Sequence, residues 1–195
     1  MTETPHRMAT IFSRFFEISG LLLPALGLIV LLDPSCVLYS ASRRSQAPEW
    51  PCYGGDAGGM RHSQLNQINR KNVSQLQIAW TFDTSDVSDG TEYPTRTAFE
   101  SSPLVIDGVM HATTPFCRLL ALDPETGKQL WAFDPRIDKS MRTNLFVNRG
   151  AAYWSDGKSK RLFLGDLQGR LFSIDISTGN PDVGFGQQGM LDLTL

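Results

Sequence analysis

The side chains best placed to do chemistry are Arg149, in Val147-Asn148-Arg149-Gly150, and Glu100, in Phe99-Glu100-Ser101-Ser102-Pro103-Leu104. A guanidinium is permanently charged and forks onto planar oxygens, so Arg149 suits a flat anionic ligand. An ionised Glu100 only accepts hydrogen bonds and would meet a donor edge. Residue type alone leaves both open: Arg149 is equally a surface arginine in a salt bridge, and Glu100 a solvated residue at the start of a strand. His111 lies on an expected strand and His62 in a loop, and no metal-ligand spacing links them. Asp123 and Asp175 belong to turns and are not read as catalytic. No C-x-x-C or C-x-x-C-H occurs, so zinc and c-type haem sites find no support. Spacing does not show whether Cys52 and Cys117 can bridge, and two separate buried thiols are expected.

These residues need elements to hold them. Leu76–Phe82 alternates and is rich in strand formers. Pro103–Ile106 and Val109–Thr113 flank Asp107-Gly108, a type I′ hairpin signal. Leu119–Asp123 and Gln129–Phe133 complete a set of four strands. Ala151–Trp154, Arg161–Leu164, Arg170–Asp175 and Gly189–Leu195 form a second set, with turns at Asp156-Gly157 and Gln168-Gly169. Arg43–Asn72 reads as polar connection with a short helical turn near Asn69–Leu76. The segment Ala121-Leu122-Asp123-Pro124-Glu125-Thr126-Gly127-Lys128-Gln129-Leu130-Trp131 is a strand, a tight turn and a strand ending on an aromatic. Its pattern recurs at Ser173-Ile174-Asp175-Ile176-Ser177-Thr178-Gly179, close to the ~50-residue period of a β-propeller blade.

With 41% hydrophobic and 19% charged residues, the composition is that of a soluble globular protein. A net charge of −2 carries no basic excess, which argues against a nucleic-acid partner. Seventeen Gly and 11 Pro fit many short strands joined by turns. The first forty residues differ. Ile18–Leu32 is uncharged and mostly apolar, preceded by Arg7 and Arg14, and shorter than the ~20 residues of a membrane-spanning helix. With Ser40-Ala41-Ser42 as a cleavage site, residues 1–42 are expected to be a signal peptide or N-terminal anchor, and residues 43–195 the exported part. Cys36 lacks the aliphatic residue that a bacterial lipidation signal wants three positions earlier.

The longer form of the repeat, Ala-x-Asp-x-x-Thr-Gly-x-x-x-Trp, resembles the tryptophan-docking motif of the pyrroloquinoline-quinone (PQQ) dehydrogenases, with Trp131 at the aromatic position. Trp50, Tyr53-Gly54-Gly55-Asp56, Arg61, Ser63, Gln67-Ile68-Asn69, Asn72-Val73, Leu76 and Ala79-Trp80 resemble that family's N-terminal segment. The Glu100 and Arg149 stretches resemble its cofactor-contacting ones. The resemblance runs from Trp50 to Leu195. It implies an all-β fold, an eight-bladed propeller of which this chain holds roughly the first two blades, each docking Trp packing on the neighbouring blade. The second copy carries Val183 at the aromatic position, so its contact is expected to be weaker or moved to Phe185.

By the same resemblance, Arg149 and Glu100 contact PQQ. Thr143 and Asn144 stand where the methanol and ethanol branch carries two adjacent cysteines, whose disulfide covers one PQQ face. That departure points to the glucose and polyol branch, with ubiquinone as electron acceptor and cytochrome c as the other candidate. The family's calcium ligands and catalytic aspartate fall past Leu195, so neither a catalytic nor a metal-binding residue is assigned here. The resulting expectation is an N-terminal piece of a periplasmic PQQ dehydrogenase, free or membrane-associated, that oxidises a sugar or polyol and is inactive alone. Two alternatives compete: a PQQ-dependent alcohol dehydrogenase, and a non-enzymatic propeller scaffold of outer-membrane assembly. The scaffold has no need of Arg149 or Glu100 and requires a lipidation signal that Cys36 does not provide.

Overall fold

A computed structural model describes residues 49–194 and the backbone of residues 8–10. Most of the expected signal segment, Cys36 included, lies outside the described residues. The fold is antiparallel throughout its strands. β1 (Met8–Thr10) pairs with β2 (Trp80–Phe82). β3 (Leu104–Ile106), β4 (Val109–Thr113), β5 (Leu119–Leu122) and β6 (Gln129–Phe133) form one four-stranded meander. β7 (Ala152–Ser155), β8 (Lys160–Gly165), β9 (Arg170–Asp175) and β10 (Met190–Asp192) form a second. These are the two blades expected from the repeat, each strand within a few residues of its expected place. The helical turn is a short 3₁₀ segment at Val73–Gln75. It follows a knot of side chains in which Asn72 Oδ1 accepts from the Asn69 amide at 2.8 Å and Asn72 Nδ2 donates to the Gln67 carbonyl at 2.7 Å.

The sheets pack face to face. Leu104, Ile106 and Leu119 of the first meet Leu162, Leu164, Phe172 and Ile174 of the second, with Trp131 and Phe133 alongside. The other face of the first sheet buries Met110, Leu120 and Leu122 under Trp80 and Phe82. Because both faces are covered, β5 reads Leu-Leu-Ala-Leu without alternation and is buried throughout. Each such side chain contributes about 1.5–3 kcal/mol by leaving water.

Turn chemistry sets the sheet registers. Asp107 and Gly108 both have positive φ, 51° and 72°, as a type I′ turn requires. In the repeat, Asp123 Oδ1 accepts from the amides of Glu125 at 2.9 Å and Thr126 at 3.0 Å. Asp175 Oδ1 does the same for Ser177 at 3.0 Å and Thr178 at 2.9 Å. The Ser177 hydroxyl adds a bond that, ahead of the other contacts, holds the Asp175 carboxyl below its ordinary pKa. Both aspartates are turn residues, as expected.

The glycines of the two turns carry the inter-blade docking. Trp80 lies on Gly127 and donates its indole N–H to the Pro124 carbonyl at 3.0 Å. Trp131 lies on Gly179 and donates to the Ile176 carbonyl at 3.2 Å. A Cβ at either glycine would stand 2.5 Å from indole carbon, and φ is +71° at Gly127 and +73° at Gly179. Only glycine meets both demands. Each tryptophan thus seats on the turn of the following blade. Val183 is 70% exposed, and Phe185 packs on Phe163 at 5.5 Å within its own blade.

Two cysteine details refine the expectation. Cys52 and Cys117 are both free thiols; Cys117 is buried, whereas Cys52 is only partly so. His111 is buried in β4, 5.5 Å from the Trp131 ring, with no hydrogen-bond partner on either ring nitrogen. Burial there lowers its pKa from 6.5 to about 4. Between those two values the unfolded chain takes up a proton that the folded chain refuses, so stability falls as pH drops through that window. Unfolding titrations in urea at pH 7 and pH 5 should differ by about 2 kcal/mol, and His111→Leu should abolish most of that difference. The turn carboxylates Asp138, Asp156 and Asp175, whose pKa values are lowered from 3.8, lose their contribution only at lower pH and leave the window to His111.

Candidate functional site

Two irregular connections, 83–103 leading into β3 and 134–151 leading into β7, run side by side at one end of the blades. They are joined as a parallel pair. The Phe146 amide donates to the Arg96 carbonyl at 2.8 Å, the Ala98 amide to the Phe146 carbonyl at 2.9 Å, and the Ser102 amide to the Arg149 carbonyl at 3.1 Å. Phe146, fully buried, is the apolar anchor, set edge-on to Phe116 at 5.4 Å in a small core with Cys117 and Ile137.

This pairing brings Glu100 and Arg149 together, although they lie on different blades' connections. Arg149 Nη2 is 2.9 Å from Glu100 Oε2, and the two side chains are 79% and 42% exposed. An exposed pair of this kind contributes at most about 1 kcal/mol, so it is no stability device and its arginine is readily given up to a ligand. The expected separate contacts with opposite edges of a ligand begin here as a mutual ion pair.

The backbone beneath the pair is firmly held. The Asn148 side chain donates to the Gly165 carbonyl at 2.9 Å and accepts from the Gly150 amide at 3.0 Å. Thr113, buried at the end of β4, reaches both connections. Its amide donates to Ser101 Oγ at 3.0 Å, and its hydroxyl lies 3.5 Å from the Asn148 carbonyl. Thr143 and Asn144 sit on the same connection as Arg149; Asn144 is exposed and Thr143 partly so. The Thr143 amide donates to Thr95 Oγ1 at 3.1 Å. Thr95 and Thr113 escaped the sequence reading because their partners lie far along the chain and no local pattern marks them.

A concavity of about 600 Å³, apart from the Glu100–Arg149 pair, opens beside Phe116, Arg118, Arg136 and Lys139. Its lining includes the pair Arg118–Asp86, with Nε 2.8 Å from Oδ2 and the Arg118 fork also on the Thr84 carbonyl. Its cations are offset by Asp86 and Asp134, so it selects no charge as clearly as the exposed Arg149 does. His62 is exposed, His111 is a core residue, and among the described residues three or more His, Cys, Asp or Glu never gather as a metal site would require.

A forked, exposed cation beside one carboxylate, on a rigid backbone shelf, fits a planar ligand bearing acid groups and a polar donor edge. Comparison with known proteins gives the family. Residues 50–195 match the family described as PQQ: glucose/ethanol/alcohol dehydrogenase, beta-propeller domain. The chain is 42% identical over 135 residues to the dehydrogenase subunit of a quinone alcohol dehydrogenase from Gluconacetobacter polyoxogenes, covering 67% of this chain and 16% of that protein. It is 30% identical to quinoprotein glucose dehydrogenase A of Acinetobacter calcoaceticus, covering 74% of this chain and 20% of that one. The crystal structure of quinohemoprotein alcohol dehydrogenase from Comamonas testosteroni superposes with a TM-score of 0.60 at 29% identity, over 84% of this chain and 22% of its own. The chain therefore spans about a fifth of the length of these relatives.

Proposed function

Because the chain belongs to the PQQ-dependent glucose/ethanol/alcohol dehydrogenase family, we propose that its two blades supply one wall of a PQQ site in a closed propeller that oxidises a CH–OH donor. The observation that carries this is the Glu100–Arg149 pair, held on the parallel connections at 2.9 Å. PQQ is the family's cofactor, and it supplies the two-electron acceptor for hydride transfer, with calcium typical beside it. Arg149 would hold its anionic oxygens and Glu100 its donor edge, while Thr143 and Asn144, on the same connection as Arg149, would line the approach. The described residues contribute binding and orientation. The catalytic base and calcium ligands are assigned to none of them.

For the substrate we propose a sugar or polyol, because Thr143-Asn144 replaces the adjacent cysteines of the alcohol branch. The 42% identity to an alcohol dehydrogenase subunit favours a second reading, a primary alcohol. Either reaction needs an electron acceptor, for which we propose ubiquinone in the first reading and cytochrome c in the second. For residues 1–42 we propose a role as signal peptide or N-terminal membrane anchor that brings the protein to the periplasm. The test is dye reduction by the closed propeller carrying this segment, recovered from the periplasm with a new N-terminus near Arg43, which removes β1 from its pairing with β2, and supplied with PQQ and calcium. Turnover of glucose or polyols above short alcohols is expected, and the 195-residue chain alone should be inactive. A preference for short alcohols would establish the second reading. Full turnover by the chain alone would overturn the division of labour.

A further inference from the structure

We infer that Thr95 is a positioning residue for this wall: its hydroxyl sets the height of the 141–144 backbone, and through it the placing of Thr143 and Asn144. The inference rests on the PQQ reading above.

Thr95 is 3% exposed and lies on the first of the paired connections. Its Oγ1 donates to the Met141 carbonyl at 3.0 Å, with the Thr143 carbonyl also near at 3.3 Å, and accepts from the Thr143 amide at 3.1 Å. One hydroxyl thus serves three backbone groups of a segment that has no strand of its own. The Met141 amide bonds only locally, to the Asp138 carbonyl at 3.3 Å, and the Met141 side chain rests on the Phe116–Phe146 core. From there to Phe146, where pairing with the first connection resumes, Thr95 makes the cross-connection contact. The chemistry required at position 95 is narrow. The group must donate and accept from a single atom in a dry site, which Thr and Ser can do and Val cannot. Without it the Met141 and Thr143 backbone groups would seek water, and the loop would lift away from the shelf that carries Arg149. Thr95 touches no ligand position itself, so its effect on binding is indirect.

The test is a PQQ titration, read by quenching of tryptophan fluorescence, of the closed propeller carrying this segment as wild type, Thr95→Ser, Thr95→Val and Arg149→Ala. Thr95→Val should weaken PQQ about tenfold, because binding must then re-seat the 141–144 backbone that the Thr95 hydroxyl no longer holds. Thr95→Ser should stay within about twofold of wild type, since it keeps the hydroxyl. A purely structural role would lower the melting temperature of the PQQ-free protein and leave the affinity of the folded protein unchanged, which would overturn the inference. Wild-type affinity in Thr95→Val alongside a weakened Arg149→Ala would overturn it alone, with the PQQ reading intact. Failure of the wild type to bind PQQ would overturn both. Should Val prevent folding, hydrogen exchange of the wild type decides: the Thr143 amide must exchange more slowly than the exposed Asn144 amide, and equal rates would refute the clasp.

Discussion

Arg149→Ala is expected to raise the PQQ dissociation constant of the closed propeller by at least tenfold. A hydrogen bond to a charged group contributes about 1.5–3 kcal/mol net, and each 1.4 kcal/mol is a factor of ten. Arg149 starts 79% exposed and, among the described residues, in an ion pair with Glu100 alone, so little is given up when it turns to a ligand. Its loss also leaves the ligand's acid group without its cation and Glu100 without its ion-pair partner. Arg149→Lys should recover only part of the affinity, because an ammonium keeps the charge but loses the planar fork. Glu100→Gln keeps the shape and removes one negative charge, so its effect should be smaller. Fluorescence titration reads all three. Unchanged affinity in Arg149→Ala would remove the arginine from the site.

The second large effect is on stability. Trp131→Ala should cost about 3 kcal/mol, the lower end for a tryptophan in a core, since Trp131 is only partly buried. Gly179→Ala attacks the same joint from the other side. Its Cβ would stand 2.5 Å from the indole and its φ of +73° is strained for any side chain. The two lesions share one contact, so the double variant should be less destabilised than the sum of the singles. Urea unfolding of the four proteins gives the cycle, and simple additivity would show that Trp131 and Gly179 do not stabilise through each other.

Most of the strand order was legible because local rules suffice for it. Asp107-Gly108 announces its hairpin through the backbone angles it tolerates, and the Asp-x-x-Thr-Gly turn announces itself through side-chain acceptors that reach only two or three residues. The repeat at Asp123 and Asp175 carries the blade period, and Arg149 and Glu100 stand out by chemistry and by the motifs around them. None of this required contacts distant in sequence.

What needed the tertiary structure was every relation between side chains that only the packing of the blades brings together. Trp80 and Gly127 are nothing to each other along the chain until the first sheet packs, and the same holds for Trp131 and Gly179. His111 is a buried, partnerless base only within the packed first sheet, where the Trp131 ring lies 5.5 Å away. Thr95 and Thr113 read as ordinary loop and strand residues until two irregular connections are laid in parallel and need a shared hydroxyl. The physical reason is one of range: turn and strand preferences act over a few residues and are written locally. The desolvation and hydrogen-bond demands that place Glu100 against Arg149 exist only once burial has removed water from the backbone beneath them.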